Sequence, residues 1–242
     1  MGVLTFFLLT FFNDFFNLKL TNKKSNIHTR FIRHLFYPGF MAVFLFANPI
    51  GLLASETITV EMVTSAGDIQ IDLYPQAAPV TVENFLAYVD GGFYSNARFY
   101  RVVRMDNQQQ NKVKIEVIQG GLELEAADLP FEAIRHESTQ TTGIKHLDGV
   151  ISMARGEPGT AASEFFICIN DQPELDFGGQ RNPDEQGFAA FGRVVDGMEI
   201  VRRIQKMATD TPPDGKLEYT SGQILLEPVV IYDIHRVSKE GS

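Results

Sequence analysis

Hydrophobic and polar residues alternate through Thr57-Ile58-Thr59-Val60-Glu61-Met62-Val63-Thr64, break at Ala66-Gly67-Asp68, and alternate again through Ile69-Gln70-Ile71-Asp72-Leu73. A period of two on both sides of a glycine-containing turn predicts a hairpin of half-buried strands. The period then changes. Between Ala78 and Val89 the apolar positions Val82, Phe85, Leu86 and Val89 share one helical face, with Gly91-Gly92 just beyond, which predicts an amphipathic helix that plugs one mouth of a barrel.

Further on, apolar segments Phe99–Val103 and Val117–Gly121 are separated by the polar run Asn107–Lys112, which has no period and reads as a surface loop. Residues 129–142 show no readable period. Ile144–Leu147 leads through the turn dipeptide Asp148-Gly149 into Val150–Ala154, predicting another hairpin. A Gly-Glu-Pro-Gly loop then connects Val150–Ala154 to Glu164–Ile169, because glycine and proline are excluded from the interiors of helices and central strands. The segment 170–186, rich in Gly, Pro, Asp and Gln, reads as a long surface loop. Phe188–Val195 resumes a strand, Met198, Val201 and Ile204 recur at helical spacing, and Ile224–Leu226 and Val229–Ile234 finish as strands. Many short strands with two helices predict an all-β closed barrel capped at both ends.

Ahead of the first strand, basic residues Lys19 to Arg33 precede an apolar run, Leu35 to Leu53, that ends in Leu52-Leu53-Ala54-Ser55. Basic, then apolar, then small is the order of a secretory signal, so residues 1–54 are expected to be a leader cleaved near Ala54, and 55–242 the exported domain. An uncut leader that anchors the chain in a membrane is the alternative. The expected location is the periplasm. Five of the 21 Lys and Arg and one of the 30 Asp and Glu lie in the leader, so residues 55–242 carry a net charge of −13. A domain that acidic repels phosphate backbones, which argues against a nucleic-acid partner. The single Cys168 excludes an internal disulfide, and the five histidines lack metal-ligand spacing.

Candidate chemistry sits at strand ends. Phe99-Tyr100-Arg101-Val102-Val103, Val117-Ile118-Gln119-Gly120-Gly121, Ser152-Met153-Ala154, Ser163-Glu164-Phe165-Phe166-Ile167 and Phe191-Gly192 occur in that order. Together they resemble the cyclophilin-type peptidyl-prolyl cis-trans isomerases of exported bacterial type, over roughly Val60 to Val237. The resemblance implies an eight-stranded antiparallel barrel and isomerase activity without a cofactor or metal. It implies that Arg101 is the catalytic residue, a donor to the prolyl nitrogen. Gln119 would bond the substrate backbone, Phe166 would floor a proline pocket walled by Val117 and Leu175, and Ala154 and Arg155 would offer backbone groups to the residues before proline. Phe165, of opposite facing to Phe166, reads as barrel core.

The chain departs from the family pattern in several places. Seventeen residues separate Arg101 from Gln119, where the family has only a few, and Ile115-Glu116-Val117 stand where an aromatic and a Met are usual. Arg155 replaces a small polar residue, and its side chain is expected to add a charge preference. Glu164 replaces a common Gln, exchanging an amide for an acceptor-only carboxylate, and is expected to act on Arg101 in one of two ways: by pairing with the guanidinium and orienting it, or by weakening its donation. Phe188 occupies the place of a histidine in eukaryotic members, and with no tryptophan in the chain, Glu174 stands before Leu175 where the cyclosporin-contacting one would be. Expected partners are therefore proline-containing peptides and unfolded chains, with weak cyclosporin binding and a monomeric state. A non-enzymatic peptide-binding module on the same barrel is the competing reading.

Overall fold

A computed structural model describes residues 56–210 and 219–238; the leader expected over residues 1–54 lies outside them. The first hairpin forms as its alternation predicts, with β1 (Ile58–Thr64) paired antiparallel to β2 (Gly67–Leu73). Val60 and Met62 face Ile71 and Ile69 in register and all four are fully buried. The remaining strands are β3 (Ala97–Val103), β4 (Val117–Gly121), β5 (Val150–Met153), β6 (Phe165–Cys168), β7 (Ala189–Asp196) and β8 (Ile224–Arg236). They close into an antiparallel barrel in the order β1-β2-β7-β5-β6-β4-β3-β8.

Two helices cap the barrel at opposite ends. On α1 (Pro79–Asp90), which begins at a proline whose missing N–H costs a first turn nothing, Phe85 meets Phe165, 5.7 Å away and edge-on. Phe165 pairs with Met153, at the far end of β5. By contrast α3 (Met198–Gln205) presses Ile200 against Gly67 and Met198 against Gly149, where β2 and β5 begin. A third helix, α2 (Thr139–Thr142), is a single turn in the stretch without period, ended by Gly143 in the left-handed region.

Two sequence expectations are corrected. Ile144–Leu147 forms no strand: the His146 N–H donates to Asp176 Oδ1 and its carbonyl accepts from Gln172 N, so the long loop satisfies this backbone and no sheet edge is needed. The two C-terminal strands are one, β8, running through Glu227-Pro228; its pairing with β3 jumps from Val229 to Ile224, which leaves the proline, lacking an N–H, outside that ladder.

Alternation sorts the sheet's side chains into two apolar clusters. Phe99, Val102, Ile118, Phe165 and Ile167 belong to the barrel core, while Val103, Ile115, Val117, Phe166, Cys168, Leu175 and Phe188 form a second cluster, with Ala154 against it. Since Phe165 and Phe166 are successive residues of one strand, the second cluster lies on the outside of the barrel wall.

Candidate active site

Arg101 reaches that outer face through a break in the strand. Strict alternation from Phe99 would aim Arg101 into the core, but the pairing of β3 with both β4 and β8 shifts between Phe99 and Arg101. A bulge of this kind puts two successive residues on one side. Tyr100 and Arg101 consequently both face the second apolar cluster, and Val102 returns to the core.

Arg101 is 8% exposed, and its guanidinium is held by neutral acceptors. Its Nε and Nη2 donate to Gln223 Oε1, at 2.9 and 2.6 Å, and Nη1 donates to Gln119 Oε1 at 2.8 Å. The ring of Tyr219 lies over it, 4.9 Å from Cζ. Burial pulls the guanidinium below its usual range, partly offset by Tyr219, but the most basic of the side chains remains a cation at neutral pH. Amides orient the charge without cancelling it.

From Gln119 a relay continues. Its Nε2 donates to the Tyr100 hydroxyl oxygen (2.7 Å), and that hydroxyl donates to Glu164 Oε2 (2.6 Å). A carboxylate only accepts, so Glu164 sets the direction of every bond in the series and keeps the Gln119 oxygen turned to Arg101. The expected direct pairing of Glu164 with Arg101 is thus corrected: its carboxylate is occupied by Tyr100 and by the Glu123 N–H at 2.9 Å. Desolvation raises the Glu164 pKa despite these bonds. The Tyr100 phenol is pushed well above its ordinary range, first by burial and then by Glu164, so it stays a donor. Tyr100→Phe, which leaves the Gln119 NH2 group unpaired, is expected to lower kcat/KM by roughly 3–10-fold, the cost of one neutral hydrogen bond, with peptide affinity nearly constant. A steady-state assay that found affinity changed and kcat constant would remove the relay from the catalytic step.

Beside Arg101 lies a cleft of about 360 Å³. Phe166 is its floor; Phe188 meets it edge-on at 5.3 Å, and His146 stacks on it at 6.0 Å. His146 is itself held, Nδ1–H donating to Asp176 Oδ1 (2.9 Å) and Nε2 accepting from the Ser152 hydroxyl (3.0 Å); burial lowers its pKa, which keeps the ring neutral. Leu175 comes from a short 3-10 turn, Pro173–Leu175, inside the long loop, and its carbonyl accepts the Phe188 N–H. Val103, Ile115 and Val117 supply the wall where an aromatic and a Met were expected to be missing. The length of chain between Arg101 and Gln119 therefore still returns apolar side chains to the pocket. Cys168 is buried in this cluster, and burial pushes its thiol far up.

The family description of cyclophilin-type peptidyl-prolyl cis-trans isomerases matches residues 59–234. The chain belongs to that family. Among its relatives, the cyclophilin is 37% identical over 163 residues to peptidyl-prolyl cis-trans isomerase A of Dickeya dadantii, covering 65% of this chain and 76% of that one. It is 35% identical over 147 residues to isomerase B of Escherichia coli, covering 60% and 83%. Its fold matches the crystal structure of a Cryptosporidium parvum cyclophilin determined in the presence of the dipeptide Ala-Pro, with a TM-score of 0.55 at 22% identity, over 75% of this chain and 99% of that one.

All the residues singled out in the sequence as site candidates border one cleft: Arg101, Val117, Gln119, Ala154, Arg155, Glu164, Phe166, Leu175 and Phe188. Two of them differ in what they offer. Gln119 spends both ends of its amide on Arg101 and Tyr100, so it positions the cation. The side chain of Arg155 is only 1% exposed, ion-paired to Asp184 at 2.8 Å, donating to Gly187 O and lying 5.1 Å over the Phe188 ring. Its charge is neutralised and buried, which corrects the expected charge preference; what the cyclophilin leaves accessible at Arg155 is backbone. Sequence reasoning missed Gln223, Tyr219, Tyr100 and Arg181. Only Tyr100 carried a signal, as the neighbour of the arginine; the others reach the cleft from loops, Tyr219 and Gln223 from the segment leading into β8, which only barrel closure brings beside β3.

Proposed function

We propose that this cyclophilin accelerates rotation about X-Pro bonds in exported, folding chains, with Arg101 as the electrostatic donor. An amide C–N bond resists rotation by about 18–20 kcal/mol because the nitrogen lone pair is shared with the carbonyl. Twisting the bond localises that pair on nitrogen, where a fixed donor stabilises it more than it stabilises the planar ground state. The observation that carries this reading is a buried, uncompensated guanidinium, aimed by two amides, at the edge of an apolar cleft floored by Phe166. The cleft takes the proline ring. The exposed backbone at Ala154 and Arg155 takes the residues before it. No covalent intermediate, cofactor or metal enters the mechanism.

Stopped-flow measurement of X-Pro isomerisation, coupled to a protease that cleaves only the trans form, tests the reading. Acceleration that rises linearly with protein concentration is expected; a rate equal to the spontaneous one would return the barrel to the non-enzymatic reading. Two observations weigh against that alternative: the pocket wall is complete, and Glu164 leaves Arg101 free of a carboxylate.

Glu174 lies in the 3-10 turn inside the long loop, its carboxylate accepting the Gln180 N–H, in the position where a tryptophan would contact cyclosporin. Weak cyclosporin binding is therefore expected, and inhibition at submicromolar concentration in the same assay would refute it. Export rests on the order of basic, apolar and small residues before Ser55. N-terminal sequencing of the periplasmic protein is expected to begin near Ser55. Recovery of the uncut chain in the membrane fraction would favour the anchored form instead. The monomeric state is part of the same proposal.

A further inference from the structure

The polar run that lengthens the chain between Arg101 and Gln119 has a buried centre. Gln108 is fully buried, its Nε2 donating to Arg104 O and Ile115 O, both at 2.7 Å, and its Oε1 accepting from Ile115 N at 3.2 Å. The same Oε1 accepts from Arg181 Nη1 at 3.1 Å, and Val113 O accepts from that nitrogen at 2.6 Å. This segment therefore fixes a second arginine, 8% exposed, in the wall of the cleft.

Arg181 is electrically incomplete. Its Nη2 is buried without a hydrogen-bond partner, and the acceptors on its other side are an amide and a carbonyl. Among the described residues no carboxylate pairs with it, whereas Arg155 at the same cleft is neutralised by Asp184. A buried cation without an acid is costly unless something completes it. The neighbour over it is Tyr219, whose ring lies 6.0 Å from Arg181 and 4.9 Å from Arg101 and whose neutral hydroxyl interacts with both guanidinium groups. That residue is 57% exposed, so a ligand can displace it without breaking an ion pair.

Position selects which part of a ligand meets this charge. In the strand order β5-β6-β4-β3-β8, Ala154 and Arg155 follow β5, while Tyr219 and Gln223 precede β8 on the other side of Arg101. A peptide whose residues before proline lie at Ala154 and Arg155 extends the residues after the proline towards Tyr219 and Arg181.

We propose that Arg181 is a specificity-determining residue, selecting proline peptides that carry a carboxylate directly after the proline: an Asp or Glu side chain, or the terminal carboxylate of a chain ending in proline. This rests on the proline-peptide reading of the cleft. The preference is local, since a domain of net charge −13 repels acidic peptides at long range.

Exchange NMR on matched peptides tests it. Acetyl-Ala-Ala-Pro-Glu-Ala-amide is compared with its Gln counterpart, acetyl-Ala-Ala-Pro with its terminal amide, and a peptide with Glu before the proline with its Gln form. The first or second pair is expected to show kcat/KM roughly tenfold higher for the carboxylate, the scale of one charge-assisted hydrogen bond, and which pair responds tells side chain from terminus. In Arg181→Gln the ratio is expected to fall to about one, whatever the absolute rate. Should that variant fail to fold, Tyr219→Ala, which uncovers the guanidinium, is expected to raise the ratio. Equal rates in both pairs, a preference that survives Arg181→Gln, a ratio not raised by Tyr219→Ala, or an effect confined to Glu before the proline would overturn the assignment. If no peptide is isomerised, the proposed catalysis fails separately, and the dissociation constants of the same pairs, expected in the same order, decide the charge preference.

Discussion

Arg101→Ala is expected to lower kcat/KM for an X-Pro peptide by roughly 100-fold or more, the usual loss when one preorganised donor is removed from a developing charge. The loss should fall on kcat. The apolar cleft that holds the proline ring is built from Phe166, Leu175, Val117 and Phe188, none of which Arg101 supports, so peptide affinity is expected to change little. Arg101→Lys should recover only a small part of the rate. The Gln223 oxygen now receives two N–H groups from one planar fork, Nε and Nη2, and an ammonium cannot reproduce that geometry while also reaching Gln119. Either substitution strands the buried amide oxygen of Gln223 and the half-buried one of Gln119, at a cost of about 1–3 kcal/mol in stability, so rates are to be compared at temperatures where urea denaturation shows all forms folded. A kcat within threefold of the unsubstituted value in Arg101→Ala would mean that the arginine is structural and that the cleft works by shape alone.

How far the site was legible in the sequence depends on which residue is asked about. Val60, Met62, Ile69 and Ile71 announce their burial by simple alternation, and the helical face of Val82, Phe85, Leu86 and Val89 does the same for α1. Arg101 is different: its own strand's period points it the wrong way, and a bulge reverses it. Family resemblance put it at the site where periodicity could not, and the structure has it bordering the cleft. Gln223 and Tyr219 were invisible because nothing local marks them; their roles exist only once β8 closes the barrel against β3. Glu164 was seen at the right place but paired with the wrong group, and Arg155 was seen at the right place but credited with a charge that Asp184 neutralises. A charged side chain joins whichever counter-group the folded loops bring nearest, here Tyr100 and Asp184, and spacing along the chain carries no record of that.

Phe165 and Phe166 give the separation of core from site its sharpest test, because they are adjacent on β6 and face opposite ways. Phe165 is enclosed by Phe85, Tyr94 and Phe99, each within 5.6 to 5.8 Å between ring centroids, so Phe165→Ala opens a closed cavity in the barrel. Its expected cost is about 4–5 kcal/mol, the upper part of the range for losing a buried ring. Phe166 touches the ring of Phe188 and the face of His146, but its remaining side is the cleft. Water can enter the space it vacates, so Phe166→Ala is expected to cost less, about 3 kcal/mol. Activity should order the two the other way. Without its floor the cleft loses most of the apolar surface that a proline ring would bury, a loss of roughly 2 kcal/mol, and peptide dissociation constants should rise about 30-fold in Phe166→Ala. Phe165→Ala, assayed on the folded fraction at low temperature, should bind peptide nearly as the unsubstituted chain does. Equal losses of peptide affinity per folded molecule would show that the outer cluster is an extension of the core, and the assignment of the cleft as the proline seat would fall with it.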